Sequence, residues 1–218
     1  MDTAIIRFLR KYLPALFVIR QLIRLSFSRV SYIRTSGLLH TFKVGRPQTP
    51  EGQPLPWMNY NVIDFLRERL TQDIVLFEFG SGYSTFFFSK LVEEVNSVEC
   101  NRAWYEKIHQ DLPDNANLIY REEEDGEYCR TALATGQLYD IILVDGRDRI
   151  NCVKNSCAAL KNKGVILLDD SQREEYQEGI QFLRAKGFKQ IDFAGPKPVS
   201  IQLSRTSVFY RPENCLGL

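Results

Sequence analysis

Ile74-Val75-Leu76-Phe77-Glu78-Phe79-Gly80-Ser81-Gly82-Tyr83-Ser84-Thr85 decides how the rest of this chain is to be read. A short apolar run climbs to an acid, breaks into Gly-x-Gly, and meets Ser-Thr ahead of a new apolar segment. That order predicts a buried strand, a tight turn and the capped start of a helix. Gly80 and Gly82 reach backbone angles closed to other residues and leave room for a ligand against the main chain.

Downstream, strand and helix patterns alternate. Strands are expected at 74–79, 95–100, 117–120, 139–145, 164–169, 189–194 and 206–211. Helices are expected near 84–93, 102–111, 126–136, 149–162 and 173–186, with one more at 62–70 ahead of the glycine turn. Ile141-Ile142-Leu143-Val144 and Val165-Ile166-Leu167-Leu168 are continuously apolar, as in a parallel sheet covered by helices on both faces. The expected fold is α/β, a doubly wound Rossmann-like sheet of seven strands with an N-terminal helical extension. Such a sheet binds its ligand beyond the carboxyl ends of the strands, near the switch in strand order.

Acids stand at those ends. The first strand delivers Glu78, the second Glu99, the fourth Asp145-Gly146 and the fifth Asp169-Asp170. Ionised carboxylates do not gather on one rim without something to hold. Glu99 follows the glycine turn by the spacing at which an acid takes both hydroxyls of a ribose. Thr85 stands where a full dinucleotide fingerprint has its third glycine, which argues against a pyrophosphate and for a nucleoside with a small charged tail.

At 218 residues the chain has room for one sizeable core plus an appendage. A net charge of +1 argues against a wholesale nucleic-acid binder. The charge is unevenly placed: in the first 44 residues Asp2 is the only acid, against Arg7, Arg10, Lys11, Arg20, Arg24, Arg29, Arg34 and Lys43. Residues 1–43 read as a basic amphipathic helical extension, with Pro14 dividing two helices. Apolar residues share a face in each, and no uncharged run is long enough to span a bilayer. Either residues 1–35 lie on the inner face of an anionic membrane, or they pack on the main domain or a second subunit. Residues 44–56, rich in Pro and Gly, form a linker, and 57–218 the main domain. Trp57 and Tyr60 either line a pocket mouth or seal a helix onto the sheet. Five cysteines without a CxxC pair suit thiols in a reducing, cytoplasmic compartment.

The run Glu78-x-Gly80-x-Gly82-x-Ser84, then Glu99, then Tyr139-Asp140-Ile141-Ile142-Leu143-Val144-Asp145-Gly146 and Gly164-Val165-Ile166-Leu167-Leu168-Asp169-Asp170, resembles the motifs of class I S-adenosylmethionine-dependent methyltransferases. The resemblance covers residues 55 to 211. Thr206-Ser207-Val208-Phe209-Tyr210-Arg211 is similar to that fold's last strand, which lies antiparallel. It implies that the backbone at Phe79, Gly80 and Ser81 passes the methionine portion of S-adenosylmethionine, with Glu78 at its amino group and Ser84 beside it. Glu99 would hold the ribose. Glu122, Glu123 or Glu124 would approach the adenine, unless that run is a solvated loop. Asp145 would sit under the methionine end facing the acceptor, as the candidate catalytic residue.

In the catechol-type and some sugar O-methyltransferases of that family, magnesium is held by an acid after the fourth strand and an acidic pair after the fifth. Asp145, Asp169 and Asp170 stand at those places, and three oxygen ligands would suit the ion. Asp148 replaces the lysine base of those relatives. Arg147 and Arg149 suggest a grip on an acidic substrate or pairing with Asp169 and Asp170, and the Asp pair has a second reading as a helix N-cap with Ser171. The expected function is O-methylation of a small molecule, sugar or lipid precursor, with no nucleic-acid partner. The rivals are a membrane-docked interaction module with a non-catalytic pocket and an aminopropyltransferase, whose Gly-Gly-Gly-Asp-Gly turn is missing here.

Overall fold

The computed structural model describes residues 4–218, so the first three residues of the expected 1–43 extension lie outside the described residues. Four helices come first: α1 (Ala4–Tyr12), α2 (Pro14–Phe27), α3 (Tyr32–Thr35) and α4 (Leu38–Val44). Pro14 opens α2, where its missing N–H has no helical partner to lose. The two short helices α3 and α4 were not anticipated. They arise from local capping: the Ser31 hydroxyl accepts from Arg34 N (3.4 Å), and Gly37 and Gly45 bracket α4 at positive φ.

The main domain comprises α5 (Tyr60–Arg69), β1 (Val75–Phe79), α6 (Tyr83–Phe88), β2 (Glu94–Glu99), α7 (Arg102–His109), β3 (Ala116–Tyr120) and α8 (Glu127–Ala134). It continues through β4 (Tyr139–Val144), α9 (Arg149–Ser156), β5 (Leu160–Leu168), α10 (Gln177–Ala185), β6 (Lys189–Pro196) and β7 (Leu203–Tyr210). The strands form one seven-stranded sheet in the order β3-β2-β1-β4-β5-β7-β6. β1 pairs in parallel with β2 and β4, and β7 runs antiparallel to both β5 and β6, as expected. The order reverses between β1 and β4, so the glycine turn and Asp145-Gly146 open side by side.

Alternation along β1 divides the core. Leu76 faces a layer with Ile63 and Leu66 of α5 and Phe87 and Phe88 of α6. Val75, Phe77 and Phe79 face the opposite layer with Tyr128, Val153, Ile180 and Leu183. Asn59 caps α5 by accepting from Val62 N (3.1 Å). Its amide also donates to Phe193 O (3.1 Å) and Thr206 Oγ1 (3.0 Å), tying the start of that helix to β6 and β7.

Several element boundaries shift. The helix expected over 84–93 stops at Phe88, because the chain must turn back to enter β2 at Glu94. The helix expected over 149–162 ends at Ser156, and Lys161, Asn162 and Lys163 belong instead to β5. There Tyr139 N donates to Ala159 O (2.9 Å), and Lys161 Nζ pairs with Asp140 Oδ2 (2.7 Å) across an irregular register. These long-range partners override the helical pattern. The helix expected over 173–186 begins with a 3-10 turn at Glu174–Tyr176 and becomes α-helical at Gln177.

Candidate functional site

A cavity of about 930 Å³ opens at the β1/β4 switch point. Its floor depends on close backbone approach. A Cβ at Gly80 (φ +98°) would stand 3.3 Å from Gly146 Cα, and one at Gly146 would stand 2.9 Å from both Gly80 N and the Phe79 carbonyl carbon while striking the Tyr128 hydroxyl. The two glycines let the ends of β1 and β4 cross in contact, braced by Asp145 N donating to Phe79 O (3.1 Å) and Gly80 N to Val98 O (2.9 Å).

Glu78, Glu99, Asp145 and Asp170 line the cavity together with Gly80, Ser81, Gly82 and Ser84. Phe79, expected beside the cofactor, is outside the lining: it is fully buried, its ring against Phe77 and Tyr128. Glu78 accepts from the hydroxyls of Ser84, Thr85 (2.9 Å) and Ser97 (3.1 Å). Burial raises its pKa to about 7 against the pull of those three donors. Glu99 Oε1 accepts from Cys100 N (2.9 Å) and Asn101 N (2.8 Å), and Oε2 from Ser81 Oγ (3.1 Å). The acid is thereby oriented by its own backbone.

Trp104 was missed in the sequence. Its Nε1 donates to Ser81 O (2.9 Å), and its ring lies where a Cβ on Gly82 would approach to 3.2 Å. The readable signal was Asn101, whose side chain accepts from Trp104 N (3.0 Å) as the cap of α7 immediately after Glu99. Tyr128, Arg173 and Lys197 also line the cavity and had no motif to mark them. The acidic run after β3 contributes Glu123 to the lining; Glu122 and Glu124 stay outside it.

The two arginines part company. Arg149 Nη2 pairs with Asp145 Oδ1 (2.9 Å), and its guanidinium also donates to the carbonyls of Asp145 (3.1 Å), Gly146 (3.0 Å) and Asp169 (2.6 Å). It clamps the ends of β4 and β5 and has little left to grip a substrate, and it meets Asp169 through the carbonyl. Arg147 lines the cavity, is exposed, and makes no side-chain hydrogen bond or ion pair among the described residues. Burial lifts Asp145 to about 6 even with Arg149 opposing.

Trp57 lies half-exposed at the cavity mouth. Tyr60 is corrected: it is buried in the core with its ring 6.3 Å from that of Tyr32 and does not reach the cavity. The magnesium expectation finds no support. Among the described residues no group of three or more His, Cys, Asp or Glu is arranged to hold an ion. Asp169 lies outside the lining, where it accepts from Thr206 Oγ1 (2.5 Å) and burial raises its pKa to about 8. Asp170 is already paired with Arg173 (2.6 Å) and Lys197 (3.0 Å). Burial opposes its ionisation, and those two cations overcome it and hold its pKa below the usual range. Nor does the Asp pair cap a helix with Ser171, whose hydroxyl donates instead to Arg205 O (3.3 Å).

No protein-family model and no curated protein matches this chain. Solved structures do. A methyltransferase-like protein from Silicibacter pomeroyi is 24% identical, with 73% of this chain and 91% of that one covered at a TM-score of 0.51. A methyltransferase from Pyrococcus furiosus is 15% identical, covering 81% and 97% at 0.52. A Streptococcus mutans protein described as a putative methyltransferase, in complex with S-adenosylhomocysteine, is 12% identical, covering 69% and 97% at 0.50. With its sheet order and antiparallel β7, this chain has the fold of the class I S-adenosylmethionine-dependent methyltransferases.

Proposed function

We propose that this protein is an S-adenosylmethionine-dependent methyltransferase acting on an oxygen of a small molecule, sugar or lipid precursor. The observation that carries the reading is the convergence of Glu78, the Gly80-Ser81-Gly82 turn and Glu99 on one cavity at the switch point. The cavity fits the cofactor on its own terms. Gly80 and Gly82 line it at positive φ, packed so closely on Gly146 and Trp104 that a side chain at either would displace the turn, and two buried acids face it with affinity for an ammonium and for hydroxyls. Glu78 would hold the amino end, Glu99 the ribose, and the backbone from Phe79 to Ser81 the portion between.

The bound cofactor supplies a methyl group on a positively charged sulfur, and the protein mainly positions and desolvates the partners. Asp145, with a pKa near 6, is largely ionised at neutral pH, lines the cavity and pairs with Arg149. Asp145 would take the acceptor's proton, its carboxylate oriented by the Arg149 guanidinium. Trp57 and Arg147 would meet the acceptor at the mouth.

Gly80→Asp and Gly82→Asp should each abolish S-adenosylmethionine binding in isothermal titration, since each puts a charged side chain at a positive φ in the turn that lines the cavity, against Gly146 or Trp104. Normal binding by both variants would refute the reading. Release of S-adenosylhomocysteine on adding cell extract would exclude a merely ligand-binding module.

A further inference from the structure

We infer that α1 and α2 form a docking surface for an anionic lipid bilayer. This stands independently of the methyl-transfer reading. No residue of α1, α2 or α3 is buried. α1 packs on α2 and α2 on α3, while α3 is fixed to the main domain through Ile33 and through Tyr32 against Tyr60. The two leading helices therefore project from their anchor with their apolar side chains uncovered. Ile5 and Phe8 on α1, and Leu16, Ile19, Leu22 and Ile23 on α2, are each more than half exposed. That much contiguous apolar surface on two adjoining helices is not ordinary solvated surface.

The charges choose the occupant. Residues 4–44 hold eight cations and no acid. On α1, Arg7 lies opposite Ile5, Phe8 and Tyr12 at helical spacing, while Arg10 reaches over the Phe17 ring and Lys11 over the Tyr12 ring at the border of the apolar face; on α2 Arg20 and Arg24 share one side. A second copy of the same surface would oppose cation to cation with no acid to relieve it. Nucleic acid would satisfy the arginines and leave the leucines and isoleucines in water. A bilayer carrying anionic headgroups meets both demands: acyl chains take the apolar face, and phosphates and carboxylates take the guanidinium groups. Among the described residues no helix is long and apolar enough to cross a membrane, so the contact lies in the plane of the interface.

The test is co-sedimentation of the full-length protein with vesicles of phosphatidylcholine, alone or mixed with phosphatidylserine. Partition onto the mixed vesicles, falling as salt is raised, is expected. Arg7→Gln and Arg24→Gln should each weaken it roughly fivefold, and Leu22→Asp combined with Ile23→Asp more than about tenfold. All four positions are exposed, so the fold should be retained, with circular dichroism as the check. Failure of the native chain to bind the mixed vesicles, equal binding to both compositions, or partition unchanged by the Asp pair would overturn the inference. So would a stable dimer in light scattering that Ile23→Asp dissolves.

Discussion

Replacing Glu78 by Gln tests the electrostatics at the heart of the cavity. Glu78 is 1% exposed, and burial raises its pKa from an ordinary 4.5 to about 7. Between those values the folded chain binds more protons than the unfolded chain, so stability falls as pH rises. Stability from this group is fully present below about pH 4.5 and is lost by the time pH passes about 7. The interval corresponds to about 3 kcal/mol. Near pH 4.5 the protonated acid and the amide are close equivalents, and the two proteins should agree within about 1 kcal/mol. Near pH 8 the Gln variant should be the more stable by up to about 3 kcal/mol. Urea unfolding followed by circular dichroism at the two pH values reads this difference directly. Asp145 and Asp169 also titrate upward of their ordinary values in both proteins; the Glu78 charge is the weakest of the influences on Asp145, so the substitution lowers that acid's pKa only slightly and the comparison still reads Glu78. Parallel stability curves would refute the reasoning. A cationic ligand against the carboxylate would draw its pKa back down, so S-adenosylmethionine binding near neutral pH should release protons. The heat of binding would then depend on the buffer's ionisation enthalpy in the native protein and lose that component in the variant.

Gly146→Ala should cost about 1–3 kcal/mol in urea unfolding and weaken cofactor binding, because its Cβ meets backbone at the end of the neighbouring strand β1; Tyr128→Phe should not rescue it fully, since the Gly80 and Phe79 contacts remain. Arg149→Met should cost about 3 kcal/mol by stranding Asp145 and freeing three carbonyls. Arg147→Met should change stability by less than about 0.5 kcal/mol, and the KM for the acceptor is where its loss should appear. Trp104→Phe removes the bond to Ser81 O and should weaken cofactor binding about two- to tenfold by titration calorimetry. Methyl transfer should survive chelation within about twofold, because Asp170 is held by Arg173 and Lys197; loss of activity restored by magnesium would contradict this.

Much of the site was legible because strand and turn chemistry are local. The run from Ile74 to Thr85 carries its own burial, its own acid and its own glycines, and Glu99 follows at a spacing set by one helix and one strand. What stayed hidden depends on partners far away in sequence. Trp104 matters only because the turn it braces lies one strand over. Lys161 looks helical until Asp140 claims it. Arg147 and Arg149 are two residues apart and alike in type, yet one is spent on four acceptors and the other faces the cavity.

The sequence by itself determined the layered α/β order, the acid-rimmed carboxyl edge and the glycine turn, since hydrophobic period and backbone freedom are written residue by residue. Only the tertiary structure decided which acids face the cavity. Asp169 and Asp170 are neighbours in the chain, but Thr206 on β7 draws one out of the cavity lining while Arg173 and Lys197 neutralise the other within it. A carboxylate's chemistry is set by what surrounds it in space, and that is settled when the strands come together.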